Sequence, residues 1–278
     1  MGNAISFFPQ KLISVTIYSL SSFHDSCRAQ KLMEELEKIF PKTKPLTIYE
    51  FEDQKAVYSR EDAFMRLGVN QQEIPDHCSF YMEFDKLGKK LIGVHSHYEN
   101  EPFPNSISLI LNYRSNQQIE NYIKNVFSFF NAIESTLNPI LMTIGNGMFY
   151  KWHNPVDITR RLPHPEWFVY FGNPYLNFWG KEKILQAPVY KVFTDFSCGI
   201  GLQLTADLTQ PVSPKISNDL VSYLNVDSFT ERDRAQLNHP TVKDNLPQLD
   251  FSQIKRYPEA PFNVHKVLTR ESSRDNIR

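Results

Sequence analysis

The segment Glu166–Glu182, "EWFVYFGNPYLNFWGKE", carries seven aromatic residues and decides how the rest of the chain must be arranged. Read as a strand, it points Trp167, Val169 and Phe171 to one face and Phe168 and Tyr170 to the other. Both faces are apolar, so this strand is expected to be covered on both sides. Asn173 is expected to cap a following helix, with Pro174 at its first position and "YLNFWGKEKIL" continuing it. The stretch has no cysteine, histidine or obvious nucleophile. Its rings therefore read mostly as core, with Tyr175 and one or two neighbours left to line a surface.

Working outward, the flanking sequence alternates between strand and helix signals. "KLISVTIYSL" (11–20) is β-branched and alternating, and reads as a strand. Ala29, Leu32, Leu36 and Ile39 recur at helical spacing up to Pro41. "LTIYEF" (46–51) is a short strand, and "SREDAFMRLG" is a short helix between a Ser cap and Gly68. "CSFYMEFDKLGKKLIGVHSHY" (78–98) is the best hairpin signal, with a third strand at "NSISLILNY" (105–113). Ile119, Tyr122, Ile123, Val126, Phe130, Ile133 and Leu137 then mark one face of a long helix ended by Pro139.

Beyond Pro139, "PILMTIGNG" opens the second half, "PVYKVFTDF" and "GIGLQLTADL" form a strand pair, and "SPKISNDLVSYLNV" is a last helix. From Glu231 the composition shifts to scattered prolines and charges without periodicity. The expected class is α+β, with mixed or antiparallel sheets, a few packed helices and an irregular C-terminal tail. The expected organisation is one domain over 1–230, with 1–138 and 139–230 as its halves, followed by a Pro-containing tail over 231–278.

Composition narrows the function classes. The 278 residues are 41% hydrophobic and 13% aromatic, which suits a globular chain with a sizeable core. A net charge of −1 gives no general attraction to nucleic acid or to an anionic membrane. Cys27, Cys78 and Cys198 are odd in number and widely spaced, so reduced, buried thiols in a cytoplasmic protein are expected. No apolar run approaches the roughly 20 residues of a membrane span, and the N-terminal stretch makes a poor secretion signal. "MGNAIS" matches the short myristoylation pattern and reads as an ordinary N-terminus.

Motifs for catalysis are incomplete. His95 and His97 share a strand face, and with Glu83 nearby they give an alternative reading as a metal-dependent hydrolase, although no familiar ligand spacing accompanies them. His164-Pro165-Glu166 fits the H-x-E fragment of zinc deaminases but lacks its P-C-x-x-C partner. Pro75-Asp76 is not followed by a (D/E)-x-K at the spacing a metal-dependent nuclease needs. G-x-S-x-G is absent, the glycines at 199–201 lack a third, and Gly145-Asn146-Gly147 is not a phosphate loop. No cofactor, catalytic residue or metal is expected. A homodimeric scaffold built on the aromatic strand is a further alternative.

The succession of Trp167, Phe171, Gly172, Asn173, Pro174, Tyr175, Leu176, Gly180, Lys181, Glu182 and Leu185, then Gly199, Leu202, Gln203, Leu204 and Tyr223, resembles bacterial type VI secretion immunity proteins associated with VRR-type nuclease effectors. The resemblance covers about 165–226. It departs at Trp179, where the family tends to a small residue, and at "TADLTQPV", where a Gly-Pro-rich turn is expected. It implies a cytoplasmic antitoxin that binds one cognate nuclease effector, with no direct nucleic-acid or membrane binding and an oligomeric state left open.

Such an inhibitor should offer carboxylates to a basic cleft. Residues 45–105 hold 11 acids against 6 bases. The loops "YEFED" and "HYENEPFPN" mix acids with aromatics, a combination suited to steering and anchoring. The expected toxin-binding residues are Glu50, Glu52, Asp53, Tyr98, Glu99, Glu101 and Phe103.

Overall fold

The helices α1 (Ser26–Lys38), α2 (Arg60–Arg66), α3 (Asn116–Leu137) and α6 (Pro214–Leu224) start where the sequence supplies a side-chain cap. Asp25, Ser59, Ser115 and Ser213 each accept a hydrogen bond from the backbone N–H three residues on, satisfying one of the donors that a helix start leaves open. The computed structural model describes residues 11–50, 55–69, 77–85, 90–97, 104–146, 158–230, 245–252 and 254; side chains 77 and 97 lie outside that description.

In chain order the elements are β1 (Leu12–Ser19), α1 (Ser26–Lys38), β2 (Thr47–Tyr49), β3 (Ala56–Val57), α2 (Arg60–Arg66), β4 (His77–Glu83), β5 (Lys90–His97), β6 (Asn105–Asn112), α3 (Asn116–Leu137), β7 (Pro139–Asn146), β8 (Phe168–Gly172), α4 (Asn173–Trp179), α5 (Lys181–Leu185), β9 (Lys191–Phe193), β10 (Gly199–Gln203) and α6 (Pro214–Leu224).

Among the described residues the strands form one sheet, in the order β3-β2-β4-β5-β6-β1-β7-β8-β10-β9. Every neighbouring pair is antiparallel. The class is α+β. The first strand sits in the middle: β1 pairs with β6 on one side and with β7 on the other. Long-range pairing of β1 with β7 thus carries the sheet from the N-terminal strands into the aromatic ones.

The inner face is apolar from one side to the other. Phe80, Val94, Ile107, Ile17, Met142 and Tyr170 lie directly opposite one another across six strands, and all are essentially fully buried. Helices α1 and α3 cover this face. Phe130 of α3 meets the Tyr170 ring edge-on at 4.8 Å, and Phe127 meets Phe168 at 5.1 Å; such pairs contribute about 0.5–1.5 kcal/mol each beyond burial. Glu134, also on α3, is buried and accepts from Tyr170 Oη (3.0 Å), Ser197 Oγ (2.6 Å) and the backbone N–H groups of Ser197 (2.8 Å) and Cys198 (2.7 Å). Four donors satisfy one carboxylate and tie the β9–β10 connection to the helix.

The outer face divides in two. One rung across it runs Tyr49, Tyr81, Gly93, Ser108, Thr16, Thr143, Val169, Leu202, Val192. Over its aliphatic end lies α4, which packs on β7, β8 and β10. The β8 strand is buried at every position, as its two apolar faces require.

Local details differ from the sequence reading in three places. The cap of α4 is Gly172, and Asn173 is its first residue, with no side-chain cap bond. Gly180, at φ +87°, ends α4 and starts α5, dividing what the sequence presents as one helix. Tyr175 lines no surface: it is fully buried between Phe171 and Trp179, with centroids at 5.7 Å from each. The exposed ring of that helix is Phe178. In the tail, the described residues contribute no strand or α-helix, yet Leu246 and Ile254 are buried and Leu249 and Phe251 pack on the core. Apolar contacts order that part of the tail without regular structure.

Candidate functional site

The corner formed by β2, β4 and β5 on the outer face collects the chemistry that the sequence distributes over fifty residues. Tyr49 and Tyr81 stand opposite each other and stack, with centroids at 5.7 Å and planes 28° apart. Tyr81 meets the His95 ring edge-on at 5.3 Å. Gly93, opposite Tyr81, makes this possible: a Cβ there would lie 2.9 Å from both Tyr81 Cε1 and His95 Nε2. The three rings therefore spread across three strands over a bare patch of backbone. Burial holds the Tyr81 hydroxyl above the ordinary tyrosine range.

At the edge of this row stands Glu83. It accepts from Lys55 Nζ (2.7 Å), Thr47 Oγ1 (3.1 Å) and Tyr49 Oη (3.2 Å). The same ammonium lies 4.7 Å from the centre of the Tyr49 ring. One lysine thus satisfies a mostly buried carboxylate and a ring face together.

Beneath one end of the corner lies a buried polar network. Ser96 Oγ donates to Asn105 Oδ1 (3.0 Å) and lies 3.2 Å from His24 Nε2, and Asn105 Nδ2 donates to the Ser21 carbonyl (2.8 Å). Because the Asn105 amide donates to Ser21, its oxygen faces Ser96 and takes the serine proton. That leaves Ser96 as an acceptor toward His24, the reverse of a serine–histidine nucleophile pair. The network links β5, β6 and the β1–α1 connection at the end of the sheet where β5 stops.

The expected toxin-binding residues relate to this corner as follows. Glu50 follows β2 directly and is half-buried. Its charge and, above all, burial push the Cys78 thiol up to about 12. Glu52, Asp53, Tyr98, Glu99, Glu101 and Phe103 lie outside the described residues. The strand ends flanking those segments point the same way, with His97 four residues beyond the rung of Tyr49 and two strands over. β2 runs antiparallel to β4, and β4 to β5, so Tyr49 and His97 leave the sheet at the same end.

The hydrolase grouping is not brought together: Glu83 stands opposite Leu91, four residues from His95 along β5, roughly 13 Å at about 3.3 Å per residue. Among the described residues no three His, Cys, Asp or Glu side chains are placed to share a metal ion. His164 Nε2 lies 3.2 Å from Asn218 Oδ1. Sequence reasoning missed the Tyr49–Tyr81–His95 row and the Lys55–Glu83 pair. Alternation places Tyr81 and Glu83 on one strand face, but the partners across the row follow only from the register. No described helix is long and apolar enough to cross a membrane.

No protein-family model matches the chain, and no curated protein matches it in sequence. Among solved structures, it is similar to the Pseudomonas aeruginosa T6SS protein PA0821, with a TM-score of 0.55 and 14% identity over 78% of this chain and 73% of that one. A structure of the toxic C-terminal tip of CdiA from Pseudomonas aeruginosa in complex with immune protein also matches, at a TM-score of 0.29 and 14% identity, over 49% of this chain and 86% of that one. The first similarity extends to the fold of most of the chain.

Proposed function

We propose that this chain is an immunity protein: a cytoplasmic antitoxin, without catalytic activity of its own, that binds a cognate nuclease effector of the VRR type and blocks it by occupying its basic cleft. The observation that carries the reading is the outer sheet face: apolar and covered over β8 and β10, but over β4, β5, β6 and β1 presenting part-exposed Tyr81, His95, Ser108, Thr16 and Ser14 beside exposed Ile110. A sheet that leaves half a face in tyrosine, serine and threonine has surface suited to a partner, since tyrosine anchors interfaces and small hydroxyls permit close approach.

Two further points support it. The fold is similar to that of a protein described as a T6SS protein, and the sequence around 165–226 resembles immunity proteins of such systems. The acidic balance of residues 45–105 suits a partner that seeks phosphate. Within that reading, Glu50, Glu52, Asp53, Tyr98, Glu99, Glu101 and Phe103 are the proposed contacts. The domain of 1–230 with a tail over 231–278 remains the proposed organisation.

The test is affinity capture from the source bacterium with the tagged chain as bait, followed by co-expression with the captured protein. Capture of one nuclease, whose toxicity disappears on co-expression, is the expected result. Recovery of the bait alone, as a stable dimer, would overturn the reading in favour of a scaffold.

A further inference from the structure

We infer that the Tyr49–Tyr81 stack with Glu83 is a seat for an arginine side chain of the partner, and that Lys55 fills this seat in the free protein. The toxin as source of that arginine rests on the proposed immunity function; the seat itself rests on geometry alone. What the site accepts is shown by what it holds: an ammonium 2.7 Å from Glu83 Oε1 and 4.7 Å above the Tyr49 ring. Ring face and carboxylate converge on one point, which is the arrangement that selects a cation over a neutral group.

Lys55 is a weak occupant. Its side chain is 38% exposed while that of Glu83 is 14% exposed, and a part-exposed lysine pair gains little against its own conformational freedom. A guanidinium fits the same point better. It forks onto both oxygens of a carboxylate and stacks flat on an aromatic ring, neither of which an ammonium does. Beside the seat the surface stays low: Tyr81 and His95 are part-exposed, and Ser108 and Thr16 continue the row with small groups. A basic, phosphate-binding partner supplies arginines, so the charge of the seat and that of the partner are complementary.

The experiment uses the whole chain and a defined probe. N-acetyl-arginine amide is titrated against protein carrying ¹³C-labelled tyrosine rings, with N-acetyl-citrulline amide as the neutral control of equal shape. The expected result is that Lys55→Ala binds the arginine probe about five- to tenfold more tightly than the native chain, because a tethered competitor has gone. Lys55→Arg should bind it no better than the native chain, and Glu83→Gln in the Lys55→Ala background should lose the gain. Equal affinities for Lys55→Ala and the native chain, or equal responses to citrulline and arginine, would overturn the seat. Retained ring dispersion and thermal unfolding of each variant separate loss of the seat from loss of the fold. The two readings fail separately: a captured nuclease with no arginine preference removes the seat and leaves immunity standing, whereas an arginine preference with no nuclease captured does the reverse.

Discussion

The two halves of the outer sheet face share one set of hydrogen-bonded rungs and have opposite fates. Over β8 and β10, Val169, Phe171, Ile200 and Leu202 are buried, and Tyr175 and Trp179 close over Phe171. Over β6 and β1, the rung of Val169 and Leu202 carries Ser108 and Thr16, which remain part-exposed. The backbone pairing is continuous, so strand geometry does not explain the difference. Side-chain chemistry does. Aliphatic and aromatic groups recruit a helix because burying each stabilises by about 1.5–3 kcal/mol, whereas a serine or threonine hydroxyl buried without a partner costs free energy.

The largest expected effect breaks the covered half. Phe171→Ala should lower stability by about 3–5 kcal/mol in urea unfolding, because a ring enclosed by Tyr175, Trp179 and the sheet leaves a cavity. Next comes the anchor on the inner side. Glu134→Gln should cost about 2 kcal/mol, since the amide keeps the shape but turns one acceptor into a donor facing donors. Gly180→Ala probes backbone strain by itself: φ is +87° and no atom lies within 4 Å of the added Cβ, so a loss of about 1–2 kcal/mol is expected from conformation alone.

The smallest stability effect is expected on the open half, and it sharpens the comparison most. Thr16→Ala and Ser108→Ala should each change stability by less than about 0.5 kcal/mol. A bulky Thr16→Trp should fold equally well yet lose the captured partner. A cysteine labelling series gives an independent measure of cover. At pH 8, iodoacetamide should modify exposed Cys27 first, part-exposed Cys198 more slowly and buried Cys78 only on unfolding. Because the Cys78 thiol is raised from an ordinary 9.0 to about 12, its contribution to stability is complete below pH 9 and is lost as pH rises towards 12.

Much of this fold was legible because local chemistry and long-range packing agree. The cap Ser59 and the helical spacing of Ala29–Ile39 and Ile119–Leu137 announce their helices, and the double-sided apolar run at Phe168–Gly172 announces a covered strand. The strand order was not legible. That β1 lies between β6 and β7 depends on contacts 86 to 133 positions apart in sequence, which no periodicity encodes. Tyr175 misled because its neighbours Asn173 and Asn177 are polar, and only the close return of α4 onto Phe171 shows which side is enclosed.

The site was legible in part. Tyr49 stands in the loop "YEFED" and Glu83 among the acids of 45–105, but the Tyr49–Tyr81–His95 row joins residues from three strands whose alignment is fixed by register. Lys55 over Tyr49 is a contact between side chains six positions apart across a chain reversal, and it has no signature in composition.

The most direct test of the open half as the partner-binding face is hydroxyl-radical footprinting of the chain alone and with whatever partner affinity capture recovers. Tyr81 and His95 should lose reactivity on binding while Phe178 and Tyr190, exposed beside the covered half, stay unchanged. Protection of Phe178 and Tyr190 with Tyr81 and His95 unaffected would contradict it.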